Sequence, residues 1–274
     1  MNRYQKIVFC IVLIPAIFFV FFGGGRLWAL GYVYLALFVL LAAGKIVQMK
    51  RNRPDMGIGE QLRLRNELKR KNEALLKQRE PEALQSCILA WRELVEQAVG
   101  VDRIVYTINL AERLYANGEL DEAAALLDSI APKIKGRQMK LVYWHNRAAL
   151  EISRQNEEEA KKLISYILES MEKSRIGKKN QEVQSILYLR VSMWQAVLEK
   201  RYEEALLLLD KLERTWKDRE NPEAMQYEKQ YFLMERLNIY LKMNKMEEAW
   251  KVEEKLKQEK RYPLIDWWLE RQRM

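Results

Sequence analysis

Apolar positions along most of the chain recur every three or four residues, the spacing of one face of an α-helix. The clearest stretch, residues 102–130, carries two such stripes: Ile104, Ile108, Leu110, Ala111 and Leu114, then Leu120, Ala123, Ala124, Leu127 and Ile130. Between them, Gly118 suits the left-handed residue that ends a helix, and Asp102 is the predicted N-cap of the first helix. The pattern therefore predicts two short helices folded back on each other.

A similar unit recurs three times downstream. Each copy has an acidic pair followed by one alanine, in the segments NGELDEAAALL, QNEEEAKKLI, EKRYEEALLLL and MNKMEEAWKV, with alanines at positions 123, 160, 205 and 249. An apolar helix is predicted before each later copy, at about residues 142–152, 186–198 and 232–241. Positions 111 and 148, twelve residues before their partner alanines, are also Ala, whereas Met193 and Leu237 stand there in the later units.

Over residues 102–260 the chain resembles the tetratricopeptide repeat family, whose unit is a helix-turn-helix with small residues where the helices cross. The steps between the alanines, about 37, 45 and 44 residues, exceed the 34 residues of that family. The resemblance implies an all-α fold in which antiparallel helix pairs stack into an α-solenoid. A generic all-helical bundle is the alternative.

The family's first helices line a groove that holds an extended peptide or a partner helix. On the matching helices the resemblance points to His145, Arg190, Trp194 and Arg236 as the more exposed candidates for binding a protein or peptide partner. Ordinary packing or a solvated face explains each of the four equally well. The Lys/Asn/Arg set with which some relatives clamp a peptide carboxylate is not recognisable.

Two apolar runs near the N-terminus, residues 7–22 and 27–43, contain no charged side chain and are joined by Gly23-Gly24-Gly25-Arg26. With their uncharged flanks they are just long enough to cross a bilayer. Residues 1–50 are therefore predicted to form a transmembrane helical hairpin that contacts membrane lipid through residues 7–48. A cleaved signal peptide over residues 1–25 is the alternative.

The net charge of +9 is concentrated beside this segment. Residues 1–44 contain three basic residues and no acid, and residues 45–80 contain 11 basic and 5 acidic residues. By the positive-inside rule, both termini of a multi-pass cell-membrane protein are expected in the cytoplasm. The remainder is nearly neutral, which weighs against nucleic acid as a partner.

The rest of the chain divides into a linker region and a helical domain. Residues 51–60 are predicted to be a linker, and residues 61–78 a basic helix that either lies on anionic lipid or is solvated. Residues 81–274 are expected to form a cytoplasmic helical-repeat domain whose next helix, starting at Pro81, ends at Gly100. The last apolar segment, from Pro263, is predicted to cap the solenoid, with a Trp-rich membrane contact as the alternative.

The sequence offers little for catalysis. His145 is the single histidine, and the two cysteines, Cys10 and Cys87, lie among apolar residues, so no tetrahedral metal site, phosphate loop or nucleophile turn is predicted. We expect no enzyme, cofactor or metal, and the oligomeric state stays open. Two functions remain: a membrane-anchored scaffold whose repeats bind a protein or peptide, or a small accessory subunit of a transport or secretion complex in which the hairpin is the working part.

Overall fold

The structure is a computed structural model, and it describes residues 37–38, 41–42, 44–49, 52–53, 55–78, 80–172, 181–217, 222–258 and 261–272. The chain forms two compact units, Met1–Glu67 and Leu68–Met274. In the first unit, residues 44–49 are helical. The predicted membrane-spanning runs lie almost entirely outside the described residues. Among the helices that are described, none is both long and apolar enough to cross a membrane.

The described chain is all-α, as predicted. Its helices are α1 (Ile58–Leu75), α2 (Leu84–Gln97), α3 (Gly100–Ala116), α4 (Leu120–Ile130), α5 (Arg137–Ser153), α6 (Glu157–Glu172), α7 (Gln181–Leu198), α8 (Tyr202–Lys217), α9 (Pro222–Lys242), α10 (Met246–Lys257) and α11 (Pro263–Gln272). Short 3₁₀ turns at Pro81–Ala83 and Ala131–Lys133 precede α2 and α5.

The helices after α2 form four pairs, α3/α4, α5/α6, α7/α8 and α9/α10. Within each pair the two helices pack on each other, and α4, α6 and α8 also pack on the first helix of the next pair. The recurring alanines lie at these crossings, since Ala123, Ala160 and Ala205 are 0% exposed and Ala249 is 2% exposed. A side chain with a single methyl lets two helix backbones approach closely. The predicted helical-repeat architecture is therefore confirmed at the level of paired, stacked helices.

The first hairpin matches the predicted apolar stripes but differs at one end. Gly118 has φ +82° and ends the first helix in the left-handed conformation, as predicted. The prediction that Asp102 is the N-cap is wrong: α3 starts at Gly100, and Val99 is the N-cap without a side-chain hydrogen bond. Asp102 instead lies in the first turn, where its negative charge is favourable beside the helix dipole.

Several other helix boundaries differ from the predictions. The helix predicted over residues 61–78 lies at Ile58–Leu75, so the predicted linker 51–60 is shorter. The helix predicted to end at Gly100 ends at Gln97. The largest shift is in α9, which begins at Pro222 instead of about residue 232. Proline is favoured in the first turn of a helix, because its missing N–H is not needed there.

The final helix, α11, turns back towards the first hairpin. It packs on α3 with Leu264, Ile265 and Leu269 buried. A Cβ atom at Gly118 would lie 3.8 Å from Trp267 Cβ and 3.9 Å from the backbone of Leu264. The predicted capping role stays a prediction, and the structure adds that this helix joins the end of the array to its beginning.

Candidate functional site

The first helices of the four pairs meet at one face, which we call the inner face. Tyr115 of α3 stacks on Tyr231 of α9 with ring centroids 6.2 Å apart. The Tyr115 hydroxyl lies 3.0 Å from Ser153 Oγ of α5. His145 of α5 stacks on Trp194 of α7 with ring centroids 5.1 Å apart. These contacts connect α3, α5, α7 and α9 through side chains that can both stack and form hydrogen bonds.

Two carboxylates of α9 hold the side chains of α7 in place. The indole Nε1 of Trp194 donates a hydrogen bond of 3.0 Å to Glu235 Oε1. Arg190, one helical turn earlier, donates to Glu228 Oε2 in an ion pair. The Glu228 side chain is only 7% exposed, so this pair is largely removed from water. Loss of one partner would leave an uncompensated charge, which costs about 3–5 kcal/mol at a buried site.

Burial determines the charge state of the inner face. Burial, with the positive charge of Arg190 adding to it, lowers the pKa of His145 to about 3. Burial also raises the pKa of Glu235, against the opposing effects of the Trp194 hydrogen bond and of Arg190. Burial likewise raises the pKa of Tyr115 to about 12. At neutral pH the imidazole and the phenol are therefore uncharged.

Two adjoining cavities open along the inner face. The first has a volume of about 250 Å³ and is lined by residues that include Tyr115, Asn146, Arg190, Tyr231 and Glu235. The second has a volume of about 560 Å³ and lies where α5, α7, α9 and α11 meet, with a lining that includes Asn238, Lys242, Trp267, Trp268 and Arg271. Both cavities share Tyr115, Ala149, Trp194 and Glu235.

The structure brings three of the four predicted site residues together and separates the fourth. His145, Arg190 and Trp194 all line the first cavity. Arg236 instead donates to Asp210 and Glu213 of α8, at 2.8 and 3.1 Å, and lines neither cavity. The expectation that Trp194 is exposed is wrong: it is 6% exposed, because the His145 ring covers it on one side.

Glu228 and Tyr231 of α9 were not among the predicted site residues. Glu228 and Tyr231 precede the predicted start of that helix at residue 232, so they were not placed on its inner side. The spacing of Tyr231 and Glu235, four residues apart, is that of Arg190 and Trp194 and would have placed them on one helix face. No local signal could have indicated that Trp267 and Trp268 line the same space, since that contact depends on the path of the whole array.

The inner face offers aromatic surfaces, amides and a few charged groups. Among the residues that the structure describes, no group of three or more His, Cys, Asp or Glu side chains is placed to hold a metal ion. The indole and phenol rings of the inner face offer surface for apolar contact, and Arg190, Asn146 and Asn238 carry groups that can form hydrogen bonds.

Comparison with known proteins finds no matching family model, no similar curated protein and no similar solved structure. The assignment of stacked helix pairs therefore rests on the structure of this chain alone.

Proposed function

We propose that the chain is a membrane-anchored interaction scaffold whose helical pairs are tetratricopeptide-like and bind a segment of a protein partner on the inner face. The observation that supports it is the pair of adjoining cavities, about 250 and 560 Å³, lined by aromatic rings and polar side chains. Ligand pockets are typically about 300–1,000 Å³ and combine apolar walls with a few placed polar groups.

The composition of the inner face favours recognition over structural support. Trp, Tyr and Arg are the residues that most often dominate binding energy at interfaces, and all three types line the first cavity. A buried ion pair such as Arg190–Glu228 is weak evidence for stability, because apolar residues of similar volume often stabilise as well or better. We propose that this pair, with Trp194 and His145, orients the partner segment.

The membrane anchor is proposed from the sequence. Two features support a cytoplasmic location for the helical pairs: the uncharged apolar runs, residues 7–22 and 27–43, and the basic excess in residues 45–80. A reporter enzyme that is active only outside the cytoplasm, fused after Met274, should be silent in intact cells. The same reporter inserted between Gly24 and Gly25 should be active, and the reverse pattern would contradict the proposed topology.

Site-specific photo-crosslinking in intact cells tests the binding role. The photoreactive residue is placed at Asn146 and, separately, at Asn238, which line the first and second cavity. A matched control places it at Leu207 of α8, which is 62% exposed and lines neither cavity. We expect both cavity positions to crosslink to the same protein and the control to give no such product. Crosslinks from Leu207 alone would contradict the proposal. A product found only with a photoreactive residue placed within residues 7–48 would also contradict it and would favour the accessory-subunit function.

A further inference from the structure

The second cavity depends on α11 for its aromatic wall. Trp267 and Trp268 are half-buried and face the ends of α5, α7 and α9, where Trp194 supplies a third indole. The Arg271 guanidinium lies 4.8 Å from the centroid of the Trp267 ring. A guanidinium over an indole is attracted by the ring's quadrupole and is held flat, while its N–H groups point away from the ring and can donate. This arrangement provides an apolar slot with a fixed cation at its edge.

Among the described residues that line this slot, the basic and acidic side chains form no ion pairs with each other. Its basic lining residues are Lys242 and Arg271, and its acidic ones are Glu157 and Glu235. Glu157 already pairs with Lys161, at 3.8 Å, and Glu235 is buried and accepts the Trp194 hydrogen bond. Within the described part of the chain, neither Lys242 nor Arg271 forms an ion pair with an acidic side chain. The mouth of the cavity therefore carries two exposed cations whose charge a ligand can neutralise.

We propose that the second cavity binds an aromatic side chain of the partner segment, and that acidic residues next to this aromatic residue pair with Lys242 and Arg271. This inference rests on the proposed function and names the chemistry of the partner: an internal acidic segment with one aromatic anchor. The indoles supply apolar contact for the ring, and Arg271 can take a carboxylate through two parallel hydrogen bonds. Opposite charges at the rim select the partner and speed its association.

Binding of designed peptides to the full-length chain tests this proposal. The probe is a fluorescein-labelled peptide with a central Phe flanked by two acidic residues on each side, blocked at both ends so that no terminal charge contributes. One comparison peptide replaces Phe by Ala, and another replaces the acidic residues by Lys. Measured by fluorescence anisotropy in neutral detergent, the acidic Phe peptide should bind at least about tenfold more tightly than either comparison peptide. Its affinity should fall as salt is added.

Two double variants with equal net charge separate the site from general electrostatics. Lys242→Glu with Arg271→Glu replaces two attractions by two repulsions and should weaken binding more than about tenfold, since each rim pair contributes up to about 1 kcal/mol, or fivefold. Lys211→Glu with Lys255→Glu makes the same charge change at exposed positions that do not line the cavity, and should leave the affinity within about twofold. The two double variants should have the same melting temperature, measured by circular dichroism.

A second pair of variants tests the aromatic wall. Trp268→Ala should abolish binding of the acidic Phe peptide, while Trp268→Phe should largely restore it. Equal affinity for the acidic and lysine peptides, or equal loss in both double variants, would overturn the proposal. In that case crosslinking from Asn146 and Asn238 could still succeed, so the binding function and the chemistry of the partner are tested separately.

Discussion

His145 shows how burial changes what a single side chain can do. A histidine in water has a pKa near 6.5. On the inner face, burial and the neighbouring Arg190 lower it to about 3. Because the folded state then binds the proton less readily than the unfolded state does, protonation favours unfolding. Stability contributed by the neutral ring is present above about pH 6.5 and is lost as the pH falls towards 3.

The pH dependence of unfolding tests this residue. Between pH 6.5 and pH 5 the full-length chain in neutral detergent should lose about 1.5 kcal/mol more stability than His145→Phe, measured by urea unfolding. Phe keeps a ring that can stack on Trp194 but cannot titrate. Glu235 acts in the opposite direction, because a raised carboxyl pKa gives stability that is lost as the pH rises. Since both proteins retain Glu235, its effect cancels in the comparison, and identical pH profiles would contradict the lowered pKa of His145.

Trp194 belongs to the structure as well as to the site. It is buried, stacks on His145 and donates to Glu235. Replacing it by Ala should therefore lower the free energy of unfolding by about 3–5 kcal/mol. Trp194→Phe keeps an aromatic ring that can stack on His145 but loses the hydrogen bond and part of the buried indole surface, so a smaller loss of about 1–2 kcal/mol is expected. Urea unfolding measures which variant loses more free energy of unfolding. Equal losses in the two variants would contradict the packing role of Trp194.

At the scale of helices, the sequence predicts what lies in the core better than where each helix starts. Apolar stripes correctly placed Ala123, Leu127 and Ile130 inside, because burial of apolar surface at helical spacing determines that pattern. The start of α9 was missed by ten residues, since residues 222–231 continue the helix with few apolar positions. Polar helical turns leave little trace in a hydrophobic pattern. That gap is why the contribution of Glu228 and Tyr231 to the inner face could not be predicted.

The crossing of α3 and α4 provides a direct test of the hairpin. Ala123 is 0% exposed. Ala123→Trp should overpack this crossing and lower the free energy of unfolding by more than about 2 kcal/mol. Ala125, in the same helix, is exposed, so Ala125→Trp makes the same chemical change without the clash and should alter stability by less than about 0.5 kcal/mol. Equal denaturant midpoints for the two variants would mean that position 123 does not face α3.

At the scale of the whole molecule, the path of the helix pairs decides which distant residues meet. The spacing of the repeats predicts that neighbouring pairs stack, but it does not predict the rotation between them. Here the rotation brings Tyr231 of the last pair against Tyr115 of the first and places α11 on α3. Such contacts depend on the sum of small angles along the array. This is the physical reason why α11 could be predicted as a cap but not as a wall of the second cavity.

A disulfide between the first hairpin and α11 tests whether α11 packs against the start of the array. An ideal Cβ at Gly118 lies 3.8 Å from Trp267 Cβ, close to the mean Cβ–Cβ distance of disulfides, about 3.8 Å. In a chain with Cys10→Ser, the pair Gly118→Cys and Trp267→Cys should oxidise readily, which non-reducing electrophoresis detects. The oxidised form should be more stable than the reduced form of the same variant by about 2 kcal/mol or more, since the bond closes a long loop.

Gly136 supplies the matched control for this disulfide. It has nearly the same backbone conformation as Gly118, with φ +81° against +82°, so a cysteine is equally strained at either position. A Cβ at Gly136 meets nothing within 4 Å among the described residues, and the pair Gly136→Cys and Trp267→Cys should therefore stay reduced. Efficient bond formation in both cysteine pairs, or in neither, would contradict the contact between α11 and the first hairpin. Bond formation only at position 118, with a higher melting temperature on oxidation, is the result expected if α11 joins the two ends of the array.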